Sequence, residues 1–305
     1  MDKIKAKITS NSKETRQELR GKILTYSAIG LIILVVLSIF IFVASKGLAT
    51  FIQDKASLKT FLTTTTWNPN VLGADGKPLV GALPMIAGSF WVTILAALLA
   101  TPFAVGTALY MTELAGKRGR DFLQVVIELL VGIPSVVYGF IGLNVVVPFV
   151  RAHFGGSGYG ILAGAVVLFV MILPTVTSMT VDALKAVPKH YKSASLALGA
   201  TQWQTIYKVL LRASIPGILT AVIFGMARAF GEALAVQMVI GNASLLPTSL
   251  LNPASTLTSV LTMGIGNTVM GTTANNALWS LALVLLLMSL LFNGLVRWVV
   301  RKRKM

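Results

Sequence analysis

Several stretches of this chain run for 21 residues or more without a charge, among them Ile86 to Thr112, Tyr159 to Val181 and Asn276 to Val296. At about 1.5 Å of rise per residue, each can cross a hydrocarbon core roughly 30 Å thick as an α-helix. A bilayer interior offers no water to backbone N–H and C=O groups, so such segments must close their hydrogen bonds internally. The composition points the same way, with 55% hydrophobic and only 12% charged residues, against about 25% charged in soluble domains. An all-α integral membrane protein follows.

The pattern of apolar runs predicts six spans, near 23–45, 86–112, 122–150, 159–181, 214–240 and 276–298. The run from Ile23 to Ala44 follows a basic segment. It exceeds the ~7–15 residues of a signal-peptide core, so it is expected to stay as an anchor helix. Placing both termini in the cytoplasm puts 20 of the 26 Lys and Arg residues inside and leaves five outside, with Arg228 in the membrane. That asymmetry is what the positive-inside rule requires. The chain then reads as a basic tail (1–22), a first span (23–45), an outer segment (46–85), a membrane core (86–298) with a cytoplasmic segment (188–216), and a second basic tail (299–305).

The net charge of +16 raises nucleic acid as a partner. The basic residues gather at the ends and in two loops, with little aromatic interleaving and no zinc or helix-turn-helix signature. This is the flank pattern of membrane spans and excludes a groove reader. With no cysteine, disulfides, thiolate zinc sites and thiol catalysis are excluded. His153 and His190 fall in opposite loops, so no metal site is expected. No G-x-x-x-x-G-K-[ST] loop occurs, and "GADGKP" has the wrong spacing, so ATP hydrolysis is not expected of this chain.

Pro102, Pro134, Pro148 and Pro174 fall inside the expected spans and are read as interruptions. Together they favour a bundle with a pathway over a stack of plain rods. Outside, 46–85 is turn-rich ("WNPNVLGADGKP") and 241–275 is uncharged and rich in Asn, Ser, Thr and Gly. A docking surface and a passive loop both fit these segments.

On the inner side, "VPKHYKSASLALGATQWQTIYKVLLRASIPGI" (187–218) is too polar to span over its first two-thirds. Pro188 suits a first helical turn, and Gly199 suits a break between two short helices. Trp203, Ile206, Tyr207 and Leu210 recur at helical spacing as one apolar stripe. A helix-turn-helix docking into another subunit and an amphipathic surface helix are both open on these residues.

The segment resembles the EAA loop of ABC importer permeases, which inserts into the ATPase subunit. Ala194 and Gly199 match that motif, with Val209 and Leu211 at its apolar positions, while Ser193, Ser195 and Arg212 depart from its Glu, Ala and Pro. The stretches "GALPMIAGSFWVTILAALLATPFAVGTALYMTE" (81–113), "ELLVGIPSVVYGFIGL" (128–143) and "ARAFGEALAVQMVIGN" (227–242) resemble the PstC-type permeases of phosphate-specific ABC importers. The resemblance implies a six-helix, MetI-like type-1 permease fold in a bacterial cell membrane. It also implies a PstA-type permease partner, an ATPase subunit dimer carrying ATP-Mg, and an extracytoplasmic phosphate-binding protein. Another oxyanion such as sulfate or molybdate, or the sister PstA-type role, stays open on sequence grounds.

"RAFGEALAVQMVIG" (228–241) places two charges in an apolar setting. On a continuous helix Arg228 and Glu232, at i and i+4, share one face as an ion pair. Gly231 between them is expected to let a helix or ligand approach closely. A buried pair is often no more stabilising than apolar replacements, which argues for use of the charges; a structural pair locking helices is the alternative. A guanidinium offers parallel hydrogen bonds to a phosphate. Arg228 is therefore the expected anion contact, with Glu232 holding it. The resemblance likewise implies that both lie on the translocation route. Glu128, near Lys117, Arg118 and Arg120, is expected to pair at the interface, and Ser135 and Tyr138 flank Pro134 as hydroxyl candidates, Tyr138 chiefly for packing.

A secondary carrier would carry more intramembrane acids or histidines and inverted repeats, and a membrane enzyme would cluster catalytic groups. Neither pattern is present in the sequence.

Overall fold

A computed structural model describes residues 13–302, so most of the basic tail 1–22 and the end of the second tail lie outside the described residues. The chain forms two compact units, 1–46 and 47–305. The first is a single helix among the described residues. This helix, α1 (Lys13–Gly47), reaches one residue into the second unit, and a Glu18–Lys22 pair at 2.7 Å stands near its start.

The second unit opens with α2 (Ala49–Ile52), α3 (Leu58–Thr63) and an antiparallel hairpin of β1 (Trp67–Leu72) and β2 (Pro78–Val80). The Asp-Gly turn closes this hairpin. Gly76 adopts φ +71°, a left-handed conformation that glycine takes without strain, and the Asp75 carboxylate accepts the Lys77 N–H at 3.3 Å. The outer segment 46–85 is thus folded, and Asp54 ties it to the last span by accepting from Thr273 and Asn276, both at 3.0 Å.

Next come α4 (Leu83–Leu109) with a π-helical turn (Tyr110–Leu114), α5 (Lys117–Gly132), α6 (Ser135–Ile141) with a π turn (Gly142–Val146), α7 (Val147–Phe154) and α8 (Ile161–Lys185). Two short helices follow, α9 (Lys189–Ala197) and α10 (Gln202–Thr205), with a third π turn (Ile206–Leu210). The chain ends in α11 (Leu211–Phe230), α12 (Leu234–Val239), α13 (Leu257–Gly264) and α14 (Thr273–Lys302). Six helical stretches among the described residues are long and apolar enough to cross a membrane: 16–52, 83–114, 135–154, 161–185, 202–230 and 273–295.

The core is built on α4 and α8. Ala96, Ala100, Ala104 and Ala108 recur every fourth residue on α4, and all are fully buried. Such a methyl ladder lets two backbones approach closely, which substitutes for a hydrophobic drive that lipid does not supply. Leu168, Met171, Ile172 and Val176 of α8 fill the facing side. Against α8 from the other direction lies α11, where a Cβ on Gly225 would stand 2.5 Å from a Val176 methyl.

Three expectations change. The span expected at 122–150 is broken: α5 ends at Gly132, and Ile133 and Pro134 are extended, with ψ of 127° and 143°. Proline disfavours helical geometry in the residue before it, and the charged first turns of α5 suit an interface better than lipid. Tyr138 is buried and braces the break by donating to the Leu130 carbonyl at 2.7 Å. Pro102 and Pro174, by contrast, sit inside unbroken α4 and α8, and Pro148 occupies the first turn of α7. The span expected at 214–240 ends at Phe230, and the rest of it forms the separate helix α12.

The uncharged stretch 241–275 folds back as well. Ala254, Ser255, Leu257 and Ser259 are fully buried, and a Cβ at Gly88 of α4 would lie 2.1 Å from the Ser255 carbonyl. Glycine is therefore obligatory at 88 for this loop to seat.

Candidate functional site

Arg228 lies in the last turn of α11, and its guanidinium donates to the hydroxyl of Thr175 on α8. Thr175 is fourteen residues from Ile161 and ten from Lys185, about 21 and 15 Å along the helix. The guanidinium is thus held near the middle of a span. Both residues are half-buried.

The expected pairing with Glu232 is not made. Gly231 ends α11, so Glu232 begins a new direction, and no ion pair joins it to Arg228 among the described residues. Its carboxylate instead accepts the Ala235 N–H at 3.2 Å in the first turn of α12, while its own carbonyl accepts from Thr258 at 2.8 Å. Each charge therefore has a separate electrostatic partner. The carbonyl-bearing end of α11 favours the cation, and the N–H-bearing start of α12 favours the anion. This is the discontinuous-helix arrangement by which transporters place polar groups at membrane depth.

Gly231 does not serve a close approach within this chain. It is exposed, has φ −83°, and a Cβ there would meet only the Ala227 and Arg228 carbonyls, each at 3.8 Å. Beyond α12, the Asn242 amide donates to the Gln237 carbonyl at 2.8 Å.

The inner segment 188–216 contains α9, a turn, α10, a π turn and the start of α11. Gly199 closes the turn at φ +81°, where any other residue is strained. Thr201 and Gln204 cap α10 reciprocally. Ser195 and Thr205 share a hydroxyl hydrogen bond at 2.9 Å that binds α9 to the second helix. Ser193 and Ala194 are exposed, and Val209 and Leu211 are half-buried.

The apolar stripe expected over 203–210 resolves into two faces. Ile206 and Leu210 are buried, whereas Trp203 and Tyr207 are exposed, as is Leu198 at 90%. The hairpin thus exposes three large apolar side chains.

Three residues that sequence reasoning missed anchor this hairpin. Lys192 of α9 donates to the Glu113 carboxylate at 2.6 Å, and the Gln202 side chain of α10 donates to the Glu113 carbonyl at 3.2 Å. Glu113 stands in the π turn that ends α4. Thr175 was missed too, as one hydroxyl among several in its span. Glu128 takes a partner other than the expected base: it accepts from Gln124 at 2.8 Å and makes no ion pair among the described residues. Ser135 opens α6 half-buried. His153 donates from Nδ1 to the Phe149 carbonyl at 3.0 Å and stacks on that ring.

A family model described as "Binding-protein-dependent transport system inner membrane component" matches residues 100–305. The chain belongs to this family. Members of it related to this chain include the "Probable ABC transporter permease protein YqgH" of Bacillus subtilis (strain 168). It is 51% identical over 298 residues, 96% of this chain and 95% of the relative. The "Phosphate transport system permease protein PstC" of Mesorhizobium japonicum is 33% identical over 263 residues, 80% of this chain and 78% of the relative. Among solved structures, a bacterial ABC transporter chain "involved in the import of the acidic polysaccharide alginate" superposes with a TM-score of 0.61 at 14% identity. That match covers 93% of this chain and 99% of the other, and it speaks for the fold alone. This inner membrane component is thus a multi-pass permease subunit of an ABC importer, with the MetI-like type-1 fold.

Proposed function

We propose that the chain is the PstC-type permease subunit of a phosphate importer, and that Arg228 contacts the anion as it passes. One observation carries this reading: a permanently charged guanidinium sits halfway along a span with a threonine hydroxyl, and no carboxylate among the described residues, as its partner. Thr175 engages one of the five N–H donors, and the rest stay able to meet an oxyanion. Phosphate needs such a donor fork once its water is stripped, and a cation this deep in the membrane is functional by default. Glu232, two residues past the helix end, keeps the empty pathway near neutral and prevents the anion from lodging. The relatives named PstC support phosphate as the substrate; the relative at 51% identity carries no substrate in its name, so sulfate is the competitor to test.

On the inner face, the exposed side chains Leu198, Trp203 and Tyr207 would meet an ATPase subunit. Closure of the ATPase dimer around ATP-Mg then displaces 188–216, tilts α8 and α11, and switches the side to which Arg228 opens. A PstA-type subunit completes the pathway, and a phosphate-binding protein delivers from outside to a chain whose termini are both cytoplasmic.

The test is labelled-phosphate uptake by the assembled complex, competed with sulfate. Arg228→Gln is expected to lower uptake roughly 10- to 100-fold at unchanged membrane abundance, the scale of a lost charge-assisted hydrogen bond. Normal uptake at normal abundance removes Arg228 from the mechanism, and equal competition by sulfate removes phosphate specificity.

A further inference from the structure

Both helices of the inner hairpin converge on Glu113. α9 reaches its carboxylate through Lys192 at 2.6 Å, and α10 reaches its carbonyl through Gln202 at 3.2 Å. These contacts join residues 79 and 89 positions apart in the chain. The Glu113 side chain is only 12% exposed and that of Lys192 39%. This separates the contact from an open surface pair, whose contribution is small; a carboxylate this buried is costly to leave unpaired. The Ser195–Thr205 hydroxyl bond and the fully buried Thr205 keep the two hairpin helices together as one body.

The chain itself links this body to two membrane helices. Residues 186–188 lead to α8, and the π turn at Ile206–Leu210 leads to α11. The helix α4 has no such link, yet it packs along both, with Ala104 in one cluster with Val176 and Ala221. A push on the hairpin therefore reaches α8 and α11 through covalent bonds and reaches the inner end of α4 through Glu113. The π turn that carries Glu113 is a wider, less regular helical turn, a form frequent at functional positions. It aims the carboxylate and the carbonyl at the hairpin together.

We propose that Glu113 is a positioning residue that locks the inner end of α4 to the hairpin through Lys192 and Gln202, so that α4, α8 and α11 move as one body when the hairpin is displaced. The proposal rests on the reading of 188–216 as the ATPase-facing segment, but not on the identity of the transported anion.

The experiment uses the assembled complex with spin labels on Phe103→Cys and Lys189→Cys, two exposed positions on α4 and α9 in a chain without other cysteines. The label-to-label distance is expected to be the same in nucleotide-free and ATP-bound complexes. Glu113→Gln or Lys192→Gln makes that distance change on ATP binding and lowers anion imported per ATP hydrolysed about 3- to 10-fold, the range of direct side-chain couplings. Lys192→Arg keeps both readouts. The exchanged pair Glu113→Lys with Lys192→Glu recovers most of the loss, and a thermal midpoint unchanged across the variants separates the lock from a merely structural role. The proposal is overturned if the single variants leave distance and ratio unchanged, if the exchanged pair does no better than the single variants, or if the distance already shifts in the parent complex. Should the parent import sulfate and not phosphate, the substrate reading fails while the distance result still decides the lock.

Discussion

Arg228 and Glu232 show how far residue spacing can mislead. Four positions on one helix make a pair, but the helix stops at Phe230, and the two charges are stabilised by the ends of two different helices. A measurable consequence follows. If the residues acted as a pair, the uptake loss of the double variant Arg228→Gln/Glu232→Gln would fall well short of the product of the single losses. Separate supports predict that the logarithmic effects add to within about 0.5 kcal/mol, close to twofold in rate. Initial uptake rates of the four proteins check this directly. The position of Arg228 in an apolar run was legible in the sequence. Its Thr175 partner was not, because the 53-residue separation is bridged by helix packing that no local pattern encodes. Glu113 was hidden for the same reason.

At the level of elements, segment length and hydropathy revealed the spans, and the breaks were the part they could not place. Averaged hydropathy does not register the difference between a proline that a packed helix absorbs, as at 102 and 174, and one that ends a helix, as at 134. The glycine break at 231 and the fold-back of 251–264 follow from tertiary seating. Gly88 sets that seating, since a methyl there would collide with the Ser255 carbonyl at 2.1 Å. Gly88→Ala is expected to destabilise the solubilised protein by about 1–3 kcal/mol, the usual penalty of overpacking. It should be read as a lowered thermal midpoint, whereas Ala at Gly106, where a Cβ meets nothing within 4 Å, should leave the midpoint unchanged or raise it.

For the whole molecule, the strong imbalance of Lys and Arg between loops predicts an orientation that can be checked without background, because the chain contains no cysteine. Single cysteines at Asp75 and Lys189 should react with a membrane-impermeant maleimide from opposite sides. Asp75→Cys labels in intact cells, and Lys189→Cys labels only in inverted vesicles. Labelling of both from the same side would overturn the topology and with it the direction of transport. The family, the fold and the number of candidate spans were readable from the chain; where two of the expected spans break, and how parts of the bundle hold one another, were not.

The alanine ladder of α4 carries a mechanical consequence. Identical methyls spaced about 6 Å apart along the axis fit a facing helix almost equally well after a slip of one turn, so the ladder supplies adhesion without an address. Registration has to come from other contacts. Near the outer end, the Val92 side chain occupies the space that a Cβ on Gly164 would need; at the inner end, Glu113 meets the hairpin. A slide of α4 past α8 is thus opposed by pegs at both tips and by the Phe103–Phe169 ring contact between them.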